Sequence, residues 1–177
     1  MKNQHTSLNT KKSVQQSRLK SAIENGGSSV EKLIQKKPKA RFAIGIDVGI
    51  INGFSVFDRE FKKLVEVRSY KLFELFYELA YWHDKEIFND IEVFVENPKT
   101  WKPFGTVSKD KLQGAGAVKQ TYKHIIEFLD YKQIPYTPTK VQGNLKKLNR
   151  ATFEKITKWD KVTNEHARDS AMIVFNR

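Results

Sequence analysis

The sequence predicts an α/β fold with a mixed five-stranded sheet, in which three antiparallel strands precede the parallel ones and helices flank the sheet. Between residues 42 and 70, three runs rich in Val, Ile and Phe are separated only by short turns, a spacing typical of antiparallel hairpins. After residue 72, stretches with helical periodicity alternate with short apolar runs. This alternation favours parallel strands joined by helices.

Residues 1–40 differ in composition from the rest of the chain. The formal net charge is +12, and residues 1–42 hold ten Lys and Arg side chains against only Glu24 and Glu31. This region is rich in Gln, Ser and Asn and has too few large apolar residues to bury a core. We therefore interpret residues 1–40 as a flexible basic arm and residues 41–177 as one folded domain. The arm is either a DNA-binding tether, which its one-sided charge favours, or a solubilising tail.

The first strand is predicted over residues 42–49, an apolar run bounded by small residues, and the second over residues 53–57. Asp47 lies inside the first run. An ionised carboxyl is costly to bury without a partner, so Asp47 either pairs with another group or caps the turn after the strand. This segment alone leaves both roles open.

A turn at residues 58–60 leads to a third strand over residues 64–70, which completes an antiparallel meander. Residues 73–82 then have the apolar spacing of a helix that covers one face of the sheet. We interpret the aromatic side chains of this helix as core.

A fourth strand is predicted over residues 91–95, and it ends at Glu96, where Asn97 and Pro98 break the chain. A strand that ends in an acidic residue is by itself weak evidence of a site. The remaining predicted elements are a long helix over residues 112–130, a strand over 134–137, and two helices over about 150–159 and 163–176.

The last helix carries two candidate site residues. Thr163 or Asn164 can serve as its N-cap, and His166 and Asp169 are then neighbours on one helix face. Each has an ordinary alternative, because His166 can be a surface residue and Asp169 can pair with a nearby basic side chain.

Taken together, these residues match a known pattern. An acid on the first strand, an acid at the end of the central strand and a His-x-x-Asp closing helix resemble the RuvC family of Holliday junction resolvases. The resemblance covers roughly residues 41–177 and includes the glycine-flanked stretch 45–49, Gly53 and residues 166–171. It implies an RNase H-like fold and a dimeric endonuclease that uses divalent metal to cut branched DNA. The short chain and long basic arm are compatible with a phage-type member.

The resemblance implies that Asp47, Glu96, His166 and Asp169 are catalytic and bind metal. Carboxylates with one imidazole suit Mg²⁺ or Mn²⁺ better than Zn²⁺, and phosphodiester hydrolysis of this kind uses two ions in each active site. Asp47 is expected to bridge the ions, Glu96 and Asp169 to hold one each, and His166 to bind a metal or orient the water. A catalytic lysine is also implied: Lys155 resembles that of the family, with Lys140, Lys146 and Lys147 as competing candidates.

The loop that follows Glu96 mixes lysines with two aromatic side chains. An exposed ring there can stack on a base opened at a junction, and the alternative is that Trp101 and Phe104 pack the loop against the domain. The residues predicted to contact DNA are Lys99, Trp101, Lys102, Phe104, Lys109, Lys111, Lys140, Lys146 and Lys147.

Residues 114–117, Gly-Ala-Gly-Ala, lie in the long helix. Glycine is costly in a helix interior, so its use suggests a close backbone approach, either at a homodimer interface or against the protein's own sheet. The chain has no cysteine and no apolar run long enough to span a membrane. We therefore expect a cytoplasmic protein of a prokaryotic or phage-infected cell, with an organelle left open.

The leading interpretation is an endonuclease that resolves Holliday junctions and related branched DNA, such as forks and three-way branches, by paired nicks. The alternative is a non-catalytic or RNA-directed RNase H-like protein that binds nucleic acid. An ATPase of the actin and hexokinase type also has a phosphate loop similar to residues 45–49. That class needs a second, similar domain, for which 177 residues leave no room.

Overall fold

The computed structural model describes residues 39–84, 90–98, 109–140 and 145–177. The predicted basic arm over residues 1–40 lies almost wholly outside these ranges and stays a prediction.

A five-stranded sheet forms the centre of the described domain. Its strands are β1 (Phe42–Asp47), β2 (Asn52–Asp58), β3 (Lys63–Tyr70), β4 (Ile91–Glu96) and β5 (Tyr136–Thr139). The strand order is β3-β2-β1-β4-β5. β1, β2 and β3 pair antiparallel, whereas β4 pairs parallel with both β1 and β5. The predicted mixed sheet is therefore confirmed.

Four helices accompany the sheet in the described parts of the chain: α1 (Leu72–Asp84), α2 (Lys109–Tyr131), α3 (Arg150–Thr157) and α4 (Glu165–Val174). Their bounds differ from the predicted ones by a few residues. Within the described residues, none of them combines the length and the apolar character needed to cross a membrane.

The last strand begins two residues later than predicted. The backbone N–H of Ile134 donates to Leu129 O, so Ile134 belongs to the turn that ends α2. The strand therefore starts at Tyr136 and includes Pro138. Proline is tolerated there because β5 is at the edge of the sheet and needs fewer ladder hydrogen bonds.

Alternate residues of the strands face two different cores. Ile44 and Ile46 of β1 lie in the first core, with buried side chains of α1 and α2. Ala43 lies in the second core, with Phe153 of α3 and Ala171 of α4. Because side chains alternate along a strand, Asp47 is on the same face of β1 as Ala43, the face that α4 covers.

The prediction for the aromatic side chains of α1 was partly wrong. Trp82 is buried, but Phe73, Tyr77 and Tyr81 are 76%, 81% and 50% exposed. These three residues are four positions apart and share one helix face. The opposite face carries the buried residues Leu75, Leu79 and Trp82, so the leucine spacing, not the aromatic content, determines which face packs on the sheet.

Two glycines bring α4 into backbone contact with the sheet. A Cβ atom at Gly45 would overlap Ser170 O, and a Cβ atom at Gly53 would overlap His166 O. Any side chain at these positions would move α4 away from β1 and β2. The glycines therefore fix the height of His166 above the end of β1.

Candidate active site

The parallel pairing of β1 and β4 brings two acidic residues together. The last registered pair is Ile46 with Val95, and the next residues on the two strands are Asp47 and Glu96. Both side chains point to the α4 face, because Ala43 and Phe94 of the same strands lie in the second core. Asp47 and Glu96 are only 5% and 3% exposed, so both acids are inside the domain.

The turn after β1 is capped by an asparagine and not by Asp47. The buried side chain of Asn52 accepts a hydrogen bond from Gly49 N at 3.2 Å and donates to Tyr70 O at 3.4 Å. Asp47 Oδ2 instead lies 2.8 Å from Nδ1 of His166. The sequence left capping and pairing open for Asp47, and the structure shows pairing.

The N-terminal turn of α4 positions the other two predicted residues. Asn164 is the N-cap, and its side chain accepts from Ala167 N at 2.9 Å and donates to Ser69 Oγ at 2.6 Å. The second of these bonds ties the start of the helix to the end of β3. His166 then reaches Asp47, and the buried Asp169 lies one turn further along the same face.

A tight turn before α3 completes the cluster. Lys146 Nζ lies 2.6 Å from Glu96 Oε1, and Lys147 N donates to Asp169 Oδ1 at 2.7 Å. Lys155, which resembles the catalytic lysine of the RuvC family, is at an exposed position of α3. Among the described lysines, the one that forms an ion pair with Glu96 is therefore Lys146, one of the competing candidates.

A sequence signal for Lys146 exists in retrospect. Leu145 and Leu148 flank the two lysines, and both pack against the second core. Apolar anchors on either side of a polar pair indicate a turn held against the domain rather than a free loop. The pattern does not show which way the intervening side chains point.

Burial and mutual repulsion shape the electrostatics of the cluster. Burial, a hydrogen bond with Glu96 and the charges of Glu96 and Asp169 raise the pKa of Asp47 to about 9, against the opposing charge of Lys146. Burial also raises the pKa of Asp169, although Lys147 N–H and Lys146 act in the opposite direction. Burial alone would lower the pKa of Lys146, but its contact with Glu96 raises it. The positive charge of Lys146 therefore does not balance the three acids, whose ionised forms are disfavoured at Asp47 and Asp169.

This deficit fits a divalent cation. Within the described residues, three buried carboxyls and one half-exposed imidazole surround the ammonium of Lys146. Oxygen donors with one imidazole suit Mg²⁺ or Mn²⁺. Within the described ranges, no set of three or more acidic, histidine or cysteine side chains is arranged around one coordination point. Instead, His166, Lys146 and Lys147 N each engage one of the acids.

Most of the predicted DNA-contacting side chains lie outside the described residues. Lys99, Trp101, Lys102 and Phe104 lie outside the described residues, as do the side chains of Lys109 and Lys111 at the start of α2. Lys140 follows β5 and is exposed. The side chain of Lys147 is 70% exposed and lies 3.4 Å from Glu165, so it is accessible beside the acidic cluster.

The glycines of α2 do not contact the rest of the described domain. A Cβ atom at Gly114 or Gly116 would meet nothing within 4 Å. Close packing of these glycines against the protein's own sheet is therefore not observed in the part of the chain that the structure describes. The alternative, a homodimer interface, stays a prediction.

The fold is similar to that of RuvC from T. thermophilus, solved in complex with a Holliday junction substrate, with a TM-score of 0.51 and 15% sequence identity. The match covers 76% of this chain and 90% of the RuvC chain. No protein-family model matches the sequence, and no curated protein matches it. The similarity shows a shared RNase H-like fold.

Proposed function

We propose that this protein is a metal-dependent, structure-selective endonuclease that resolves Holliday junctions and related branched DNA by paired nicks. One observation carries the proposal: three buried acids from β1, β4 and α4 converge with His166 and Lys146. Burying three carboxyls together lowers stability, and the ammonium of Lys146 is the cation that the described residues place against Glu96. Such an arrangement is typical of a site whose function requires the charge.

Asp47, Glu96, Asp169 and His166 are the residues that would hold the metal. When bound, divalent ions activate a water molecule and stabilise the departing oxygen of a phosphodiester. We assign Asp47 as the central ligand because it lies between the neighbours His166 and Glu96. Glu96 and Asp169 would each complete one ion site.

We assign His166 to a metal or the attacking water and Lys146 to the charge of the phosphate. The Nδ1 atom of His166 is engaged by Asp47, which orients the ring and leaves Nε2 to bind a metal or hold the attacking water. We assign the stabilisation of phosphate charge to Lys146 rather than to Lys155, because the Lys146 ammonium is already beside the acids.

Three features support branched DNA as the substrate. The net charge of +12 and the pI near 9.7 favour a polyanion. The similar RuvC structure was solved with a Holliday junction substrate. A homodimer would set two sites against the two symmetry-related strands of a junction, and residues 114–117 are available for such contact. The loop aromatics and lysines after Glu96 remain the proposed DNA contacts.

The test is cleavage of a labelled four-way junction beside linear duplex and an RNA/DNA hybrid, with Mg²⁺, with Mn²⁺ and with chelator. We expect metal-dependent paired nicks on the junction that Asp47→Asn abolishes. Tight junction binding without cutting would favour the non-catalytic alternative. Cutting of the hybrid alone would make the protein RNA-directed.

A further inference from the structure

Lys146 occupies a special position among the acids, and an inference about it rests on the proposed function. Its ammonium is 2.6 Å from Glu96 Oε1, and the Glu96 side chain is only 4% exposed. The same positive charge acts on Asp47 and on Asp169. Among the described side chains, the Lys146 ammonium therefore acts on all three buried carboxyls.

The turn that carries Lys146 also contacts Asp169 through its backbone. Lys147 N donates to Asp169 Oδ1 at 2.7 Å, and Lys147 has a left-handed backbone with φ of 57°. A residue with a side chain keeps this conformation only where its surroundings hold it. Here Leu145 and Leu148 pack on the second core, and Leu148 O accepts from Arg168 Nε at 2.7 Å. The backbone of the turn is fixed, whereas the Lys146 side chain is 31% exposed and has a flexible stem.

A divalent ion and the ammonium compete for the same carboxylate. The Glu96 oxygen that contacts Lys146 is one of the oxygens that a metal would need, and two cations repel each other at contact distance. We propose that Lys146 is the internal counter-cation of the metal-free site, that a divalent ion displaces it from Glu96, and that the displaced ammonium then faces the phosphate being cut. The fixed turn holds the lysine within reach of both positions.

This exchange predicts opposite effects of one substitution on two measurements. Without the ammonium, the acids are more negative and bind metal more tightly, but cleavage slows because the phosphate charge is no longer neutralised. A lysine with only a structural role would weaken both. A lysine that served only the phosphate would slow cleavage and leave metal affinity unchanged.

The experiment is a titration of the full chain with Mn²⁺ in the absence of DNA, with free Mn²⁺ counted by electron paramagnetic resonance. The variants are Lys146→Met and the matched control Lys147→Met, which keeps the backbone N–H to Asp169 and removes an exposed side chain. We expect Lys146→Met to bind Mn²⁺ roughly tenfold more tightly than wild type, with Lys147→Met unchanged. Equal or weaker binding by Lys146→Met would overturn the exchange.

A second measurement covers the case in which Lys146→Met does not fold. The side-chain ammonium resonance of Lys146 in the wild-type protein is followed by NMR during addition of Mg²⁺. We expect it to shift or broaden while that of Lys147 stays in place, and an unchanged Lys146 signal would contradict the proposal. Wild type that binds no metal and cuts no junction would overturn the proposed function as well. Wild type that cuts junctions while Lys146→Met keeps wild-type affinity would overturn the exchange alone.

Discussion

Replacing Asp47 by Asn should stabilise the metal-free protein. Burial and the neighbouring acids raise the pKa of Asp47 to about 9, so the folded state holds a proton that the unfolded state releases above about pH 4. The folded state therefore loses stability as pH rises from the unfolded-state pKa towards the folded-state value. Asn is neutral throughout, and its amide can donate to Glu96 in place of the carboxyl proton.

The magnitude follows from the width of this pH interval. Each pH unit between the two pKa values costs about 1.4 kcal/mol, so at pH 8 the upper bound is about 5–6 kcal/mol. The hydrogen bond with His166 at 2.8 Å offsets part of this cost, and Asn retains part of the cost of burying a polar group. We expect Asp47→Asn to raise the free energy of unfolding by about 2–3 kcal/mol at pH 8.

The assay is thermal unfolding with chelator at pH 5.5 and pH 8. The melting temperature of Asp47→Asn should exceed that of wild type by about 6–10 °C at pH 8, with a smaller difference at pH 5.5. Added Mg²⁺ should stabilise wild type and not the variant. A variant that is less stable than wild type at pH 8, or an advantage that shrinks as pH rises, would refute this reasoning.

Asp58 provides a matched control with the opposite sign. It is also a buried aspartate, 3% exposed, at the far end of β2. Burial alone would raise the pKa of Asp58, but hydrogen bonds from Arg41, Phe61 N and Glu60 N lower it below the usual range. Its stabilising effect is present above the unfolded-state pKa and is lost as pH falls through the folded-state value. Asp58→Asn should therefore destabilise the protein at pH 8.

Three further predictions concern the geometry and the charge of the site. Gly53→Ala places a Cβ atom against His166 O, so it should lower the free energy of unfolding by about 1–3 kcal/mol and reduce junction cleavage. A variant with wild-type melting temperature and cleavage rate would contradict the backbone contact. Metal affinity should rise between pH 6 and pH 9, because Asp47 must release its proton before it binds an ion; calorimetry in two buffers should detect that proton, and a pH-independent affinity would exclude it. Lys155→Met should leave the cleavage rate within about twofold of wild type, whereas Lys146→Met should lower it by about 10²-fold. Equal losses of cleavage rate in single-turnover assays would make Lys155 a candidate catalytic lysine again.

Much of the fold and part of the site follow from patterns of short range. The apolar runs at 42–49 and 91–95 predict buried strands. Glu96 could be found because it ends the second run, and Asp47 because an acid inside an apolar run needs a partner. His166 and Asp169 could be found because helical spacing puts them on one face. These inferences need only the periods of strands and helices.

The rest depends on contacts that no local pattern encodes. Lys146 reaches Glu96 across 50 positions of the chain only because Leu145 and Leu148 anchor a turn with a left-handed residue. Phe73, Tyr77 and Tyr81 of α1 face outward because Leu75, Leu79 and Trp82 on the opposite face fill the core. β5 starts later than predicted because the backbone N–H of Ile134 donates to a carbonyl of α2 rather than to the sheet. Each outcome is decided by tertiary packing.

Cleavage of a labelled four-way junction in Mg²⁺ by wild type, Glu96→Gln and Glu92→Gln tests the central claim most directly. Both residues are on β4, but Glu92 pairs with Arg59 at 2.8 Å and Glu96 faces the acidic cluster. The account predicts paired nicks by wild type and Glu92→Gln, and a rate at least about 10³-fold lower for Glu96→Gln. Equal cleavage by the two variants, or no metal-dependent nick by wild type, would contradict it.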